Sequence, residues 1–86
     1  MKEADIFNEI IQIIEEFVKD GELLKTATSE TNIIKDLKVN SARLVDIIIK
    51  AEDAFDIEID DDDADGIKTI GDAVSVVLRK TSTVEA

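Results

Sequence analysis

The sequence predicts an all-α fold, a small four-helix bundle with a long first connection and a short third helix. Three observations carry this. Apolar residues recur at three- and four-residue spacing in three separate segments. The one stretch with two-residue alternation, Ile57-Glu58-Ile59, is too short for a sheet and has no partner strand. Finally, 86 residues suffice for one small domain, taken here as residues 1–86.

The first helix is read from Ile6, Phe7, Ile10, Ile11, Ile14, Phe17 and Val18, which line one face. Glu3 and Asp5 suit its N-terminus, and Asp20-Gly21 reads as its stop. Residues 22–35 form a long connection rich in turn formers. Leu23, Leu24, Ile33 and Ile34 are expected to fold back onto the core. The second helix is expected to begin at Asn40 or Ser41 and to run to about Phe55. Its apolar residues cover more than one face, so Val45 and Ile49 are left over as a second stripe that would meet a partner. Asp60–Asp65 reads as a short helical turn stopped by Gly66. The last helix starts near Thr69, where Thr69-Ile70-Gly71-Asp72 fits a capping box. Residues 81–86 are expected to be a frayed tail.

Composition narrows the chemistry. Hydrophobic residues make up 44% of the chain, but Phe7, Phe17 and Phe55 are its only aromatics, so the core is aliphatic. There is no Cys and no His, which excludes Ser-His and Cys-His catalysis as well as thiolate or imidazole metal sites. A net charge of −11 repels nucleic acid and anionic membranes and favours basic protein surfaces or cations. The same self-repulsion predicts a monomer. Apolar runs such as Ile47–Ile49 are far too short to span a bilayer, and the acidic N-terminus has no signal-peptide core, so a cytoplasmic protein without membrane insertion is expected.

One segment needs more than a structural account. Ser41 stands between a polar loop and an apolar run in DLKVNSARLVDIII. On spacing alone it is a helix-cap or first-turn serine. However, DLKVNSARLVDIIIKAEDAFDIEI resembles the signature of acyl carrier proteins, in which an Asp-Leu-Gly-x-Asp-Ser-Leu segment opens the second helix. The likeness continues through FDIEI (55–59) and DDDADGIKTIGDAV (61–74), and spans about residues 30–78.

The resemblance implies a carrier and not an enzyme. Ser41 would bear a covalent 4′-phosphopantetheine arm, installed from coenzyme A by a phosphopantetheinyl transferase. Acyl groups would ride on its thiol as thioesters between enzymes of fatty-acid, lipid or related biosynthesis. A helix N-terminus suits the arm's phosphate. Partner enzymes with basic docking surfaces would meet Asp36, Asn40, Ala42, Arg43, Val45, Asp46, Ile49, Glu52 and Asp53. The acyl chain would lie among Ile33, Leu44, Ile48, Ala51, Ile59, Ala64 and Ile67. Ala51 stands where the family often has Leu and would leave room for a longer or bulkier chain.

The departures from the pattern have consequences. Lys38 replaces the usual Gly, so a glycine-only conformation is not expected there. Asn40 replaces an Asp, Ala42 a Leu and Arg43 an acid, so the second helix starts less negative than usual. The chain resembles a specialised, free-standing, bacterial-type carrier. Residues 36–65 nevertheless hold eleven acids against three bases, eight of the eleven net negative charges, and this field would steer basic partners.

Two rival readings stay open from the residues alone. Asp61, Asp63, Asp65 and Asp72 fall at positions of a calcium-loop pattern and would weakly hold a divalent cation. Against a strong site, the twelfth position is Asp, not Glu, and Lys68 lies inside the loop. Alternatively, the domain is a carrier-like scaffold without a prosthetic group.

Overall fold

Helix α1, Glu3–Glu15, turns Ile6, Ile10, Ile13 and Ile14 inward and leaves Phe7 and Ile11 half-buried. In this computed structural model, which describes residues 2–82, the helix ends five residues before the expected stop. The Phe17 N–H bonds the Ile14 carbonyl at 2.8 Å and closes the last turn tightly. Asp20-Gly21 punctuates in the opposite sense, because it opens a one-turn helix α2, Glu22–Lys25. There the Asp20 carboxylate accepts the Glu22 N–H at 3.1 Å, and the Asp20 carbonyl accepts from Leu23. The described residues therefore hold five helices. The one beyond the expected four is α2, this single turn inside the long connection.

The rest of that connection is ordered by its own polar side chains. Asn32 Oδ1 accepts the N–H groups of Ile34 and Lys35 at 3.0 and 2.8 Å, while Asp36 accepts the Asn32 N–H at 2.8 Å. These turns bury Ile33, Leu37 and Val39 but leave Ile34 partly exposed, contrary to its expected place in the core. Backbone bonds then stitch the loop to the far end of the chain. Ile33 N–H reaches the Lys68 carbonyl at 3.0 Å, Ile70 N–H the Thr31 carbonyl at 3.0 Å, and Gly71 N–H the Ser29 carbonyl at 2.8 Å. Asn32 and Thr69 form an isolated antiparallel bridge.

Helix α3, Ser41–Phe55, has the expected bounds. Asn40 caps it by accepting the Ala42 N–H at 2.9 Å. Asp56 ends it in the left-handed region at φ 54°, and both the Asp56 and Ile57 N–H groups bond the Glu52 carbonyl. Helix α4, Asp61–Asp65, is capped by Asp60, which accepts the Asp63 N–H at 2.9 Å.

Helix α5, Ile70–Ser82, begins with the predicted capping box. Asp72 N–H donates to Thr69 Oγ1 at 3.1 Å, and the Asp72 carboxylate accepts the N–H groups of Thr69 and Lys68 at 3.0 and 3.1 Å. Thr81 and Ser82 are helical and not part of a tail, and the Thr81 hydroxyl bonds the Val77 carbonyl. The rest of the expected tail, residues 83–86, lies outside the described residues. Helix α1 packs against α5 and α3, and the core between them is aliphatic apart from Phe55.

The box makes a pH prediction. Hydrogen bonds from the Thr69 and then the Lys68 backbone hold the Asp72 carboxyl below its ordinary value of 3.8. A depressed carboxyl contributes stability that is fully present above its unfolded pKa. That contribution is lost as pH falls through the lower folded value. Asp72→Ala should therefore cost about 1 kcal/mol near neutral pH. Urea midpoints should show the gap between variant and parent narrowing below pH 3.8. A gap independent of pH would assign the loss to packing.

Candidate functional site

Ser41 is the first residue of α3 and is exposed. Its position is set by the cap. Asn40 takes the Ala42 N–H, and the Asn40 carbonyl takes those of Arg43 and Leu44 at 2.8 and 3.1 Å. The Ser41 N–H and hydroxyl have no hydrogen-bond partner among the described residues. The serine is thus spare: Asn40 does the capping, and a nucleophilic oxygen is left facing solvent at the positive end of a helix.

The approach to it is unusual. Lys38 has φ 57°, inside the left-handed region, so the loop does adopt the conformation that its lysine was expected to avoid. A non-glycine residue there costs roughly 1–2 kcal/mol, partly offset by the lower chain entropy of the unfolded state. Lys38→Gly should therefore stabilise the domain by about 0.5 kcal/mol. A melting temperature raised by a few degrees would show it; a fall would mean that the lysine side chain makes a compensating contact.

Beyond Ser41, the face of α3 separates into two kinds of acid. Val45 and Ile49 are each 55% exposed, so the second apolar stripe exists. Asp53 is exposed beyond it, and Asp46 is half-buried and paired with Arg43 at 3.4 Å. Glu52 is different. It is half-buried, and its Oε2 accepts the Ile59 N–H at 2.7 Å, tying the α3–α4 loop to the helix. Asp36 is exposed but already holds the Asn32 N–H, so it builds the loop ahead of the serine. Asn40 and Ala42 are exposed beside the serine.

A closed apolar space lies between the helices. Six of the seven predicted lining residues, Ile33, Leu44, Ile48, Ala51, Ile59 and Ile67, surround it. Ala64 does not, although it packs half-buried against the core. The pattern missed Ile10, Ile13, Ile47, Ala73 and Val77, which reach the same space from α1, α3 and α5. The free volume is only about 10 Å³, so the room expected beside Ala51 is not open. Neighbouring isoleucines and Leu44 close it.

The four residues of the cation reading do not converge. Asp61, Asp63 and Asp65 lie on the single turn of α4, where residues two apart do not face each other. Asp63 is held by Lys80 at 3.1 Å and by Arg79. The Lys80 hydrogen bond above all lowers its pKa, with Arg79 acting in the same direction. Asp72 is committed to the capping box. Among the described residues no group of three or more carboxylates is placed to hold a metal ion.

Comparison with known proteins decides between the remaining readings. Residues 8–77 match the family described as "Phosphopantetheine attachment site". The acyl carrier protein of Lactobacillus acidophilus is 44% identical over 78 residues, covering 90% of this chain and 94% of the relative. The chain belongs to the acyl carrier protein family. The acyl carrier protein of Thermotoga maritima is 37% identical over 76 residues, with coverage of 88% and 91%. The solved acyl carrier protein of Enterococcus faecalis superposes with a TM-score of 0.75 at 28% identity, covering 93% of this chain and 99% of that one.

Membership of the acyl carrier protein family carries a function. The domain bears a covalent 4′-phosphopantetheine and carries acyl groups on it. Acyl carrier proteins are carriers and not catalysts, and they work with biosynthetic enzymes and a phosphopantetheinyl transferase. The matches favour neither the calcium-loop nor the bare-scaffold reading. No helix among the described residues is long and apolar enough to cross a membrane.

Proposed function

We propose that Ser41 is the residue that bears the arm. The observation that carries this is a serine freed from capping by Asn40, exposed at the first position of α3 and inside the matched segment. An anionic phosphodiester fits there, with a free N–H, the helix N-terminus and the cations of Lys38 and Arg43 nearby in the chain. In the modification, Ser41 Oγ forms a bond to the phosphorus of coenzyme A that carries the pantetheine. The pyrophosphate bond breaks, adenosine 3′,5′-bisphosphate leaves, and the serine proton passes to the transferase.

The remaining roles follow from exposure. Val45 and Ile49 form the apolar centre of a docking face, and Asp46 and Asp53 supply charges that steer basic enzyme surfaces toward it. Exposed pairs of this kind are weak singly, which suits a carrier that must be released. The acyl chain enters the closed space around Ile33, Leu44 and Ile48 by displacing these side chains. The pathway is fatty-acid, lipid or related biosynthesis, in the cytoplasm.

The test is intact mass after incubation with a broad-specificity phosphopantetheinyl transferase, magnesium and coenzyme A. The parent gains one phosphopantetheine group and Ser41→Ala gains none, with unchanged thermal stability. A gain on Ser41→Ala would place the attachment elsewhere.

A further inference from the structure

A hollow of about 550 Å³ opens beside the α3 N-terminus, lined by Lys19, Lys38 and Arg43 together with Phe17, Ile34 and Val39, and with Asn40 at its border. It shares no lining residue with the closed interhelical space. A second hollow of about 360 Å³ continues from it past Phe17, Lys19 and Arg43 and adds Glu16 and Val18. No acid lines the first hollow, in a chain of net charge −11. The one acid on the second, Glu16, is paired with Lys50 at 3.0 Å. Lys19 and Lys38 have no ion-pair partner among the described residues, and Arg43 has only an exposed contact with Asp46 at 3.4 Å.

Resting on the assignment of Ser41, we infer that this hollow is the resting site of the unloaded arm. The phosphodiester lies against Lys38 and Arg43, and the chain beyond it runs toward Lys19 over Phe17 and Ile34. Three arguments select this occupant. First, the phosphodiester is an anion fixed one residue from Asn40 and two from Arg43, both on the border of the hollow. Charge-assisted hydrogen bonds from such cations are the strong ones. Second, a tethered group has an effective concentration of about millimolar or more, so a free anion in solution competes poorly. Third, the alternative space has only about 10 Å³ free, against about 550 Å³ in the hollow. An arm without cargo has no chain with which to force the core open.

The inference separates two resting places on one domain. The empty arm lies on the α1–α2 side, held by charge, and the loaded chain lies between the helices, held by apolar burial. The basic start of α3, a departure from the family pattern at Lys38 and Arg43, then has a use within the molecule.

The experiment compares amide proton–nitrogen spectra of the unmodified and phosphopantetheinylated protein, with conversion checked by intact mass. The parent is set beside the Lys19→Ala/Lys38→Gly double variant. Both positions are exposed, so the variant folds. In the parent, attachment shifts the amides of Phe17, Val18, Lys19 and Ile34, which are remote in sequence from Ser41. In the variant those shifts fall to less than half. Conversion with shifts confined to residues 39–44, or running to Ile59 and Ile67, overturns the inference and leaves the Ser41 assignment intact. Failure of the parent to gain mass, or gain on Ser41→Ala, overturns both.

Discussion

Truncating Ile33 to alanine leaves the unloaded domain about 3 kcal/mol less stable, within the range for deleting an isoleucine from a packed interior. Ile33 is 0% exposed and lines the closed space between the helices, so its truncation leaves a hole there. It is also pinned by two backbone bonds, from its N–H to Lys68 and from the Val39 N–H to its carbonyl. The loss is a large part of the total, since a domain of this size has roughly 5–10 kcal/mol to begin with. Urea unfolding should show a lower midpoint with an unchanged slope. Because Ile33 lines the interhelical space, the same variant tests where cargo goes. Loading a medium-length acyl chain fills the hole and recovers much of the lost stability, since a ligand that binds only the folded state stabilises it. If the acylated variant stays as far below its acylated parent as the unloaded pair, the chain does not lie there.

Gly71→Ala is expected to cost about 2 kcal/mol and about 10 °C in melting temperature. A methyl group at this position would stand 2.7 Å from the Ser29 carbonyl oxygen and 3.1 Å from the Ser29 Cβ. The oxygen belongs to the backbone and also accepts the Gly71 N–H at 2.8 Å, so relief requires the loop and α5 to part. Gly66 is the control. Its φ is −83°, and a methyl group there would meet its nearest neighbour at an ordinary 3.5 Å. Gly66→Ala should be close to neutral. Helix propensity favours alanine over glycine, so a loss at Gly71 alone reports the clash, and equal losses for the two variants would rule out the close approach of residues 29 and 71 as its cause.

What could be read in advance was local. Asn40 and the apolar run that follows it mark the start of α3, and Thr69 with Asp72 marks the start of α5, because in each the cap and the capped groups lie within a few residues. Signals whose meaning depends on distant contacts misled. Asp20-Gly21 can end one helix or begin another, and the sequence alone does not say that Phe17 leaves the helix to lie under Lys50, 5.7 Å from the ring centre. Ile34 and Val39 are equally apolar, yet the turn around Asn32 sends only Val39 inward. Glu52 reads as one more acid on a helix face until its carboxylate is seen to hold the Ile59 N–H. The basic hollow was half visible: Lys38 and Arg43 flank Ser41 in the chain, but Lys19 joins them only through the fold.

The stitching of residues 29–33 to residues 68–71 has a consequence for how the protein is made. The loop before Ser41 takes its backbone partners from the start of the last helix, and α1 has its main packing face on that same helix. A nascent chain that has emerged only as far as α3 therefore lacks a closed core and the backbone bonds that fix its serine loop against the bundle, however helical its segments are. Folding waits for α5 to clear the ribosome. It follows that a modifying enzyme which requires the docked loop acts only once α5 has emerged, and that a message truncated within α5 yields a product for proteolysis instead of a slow carrier.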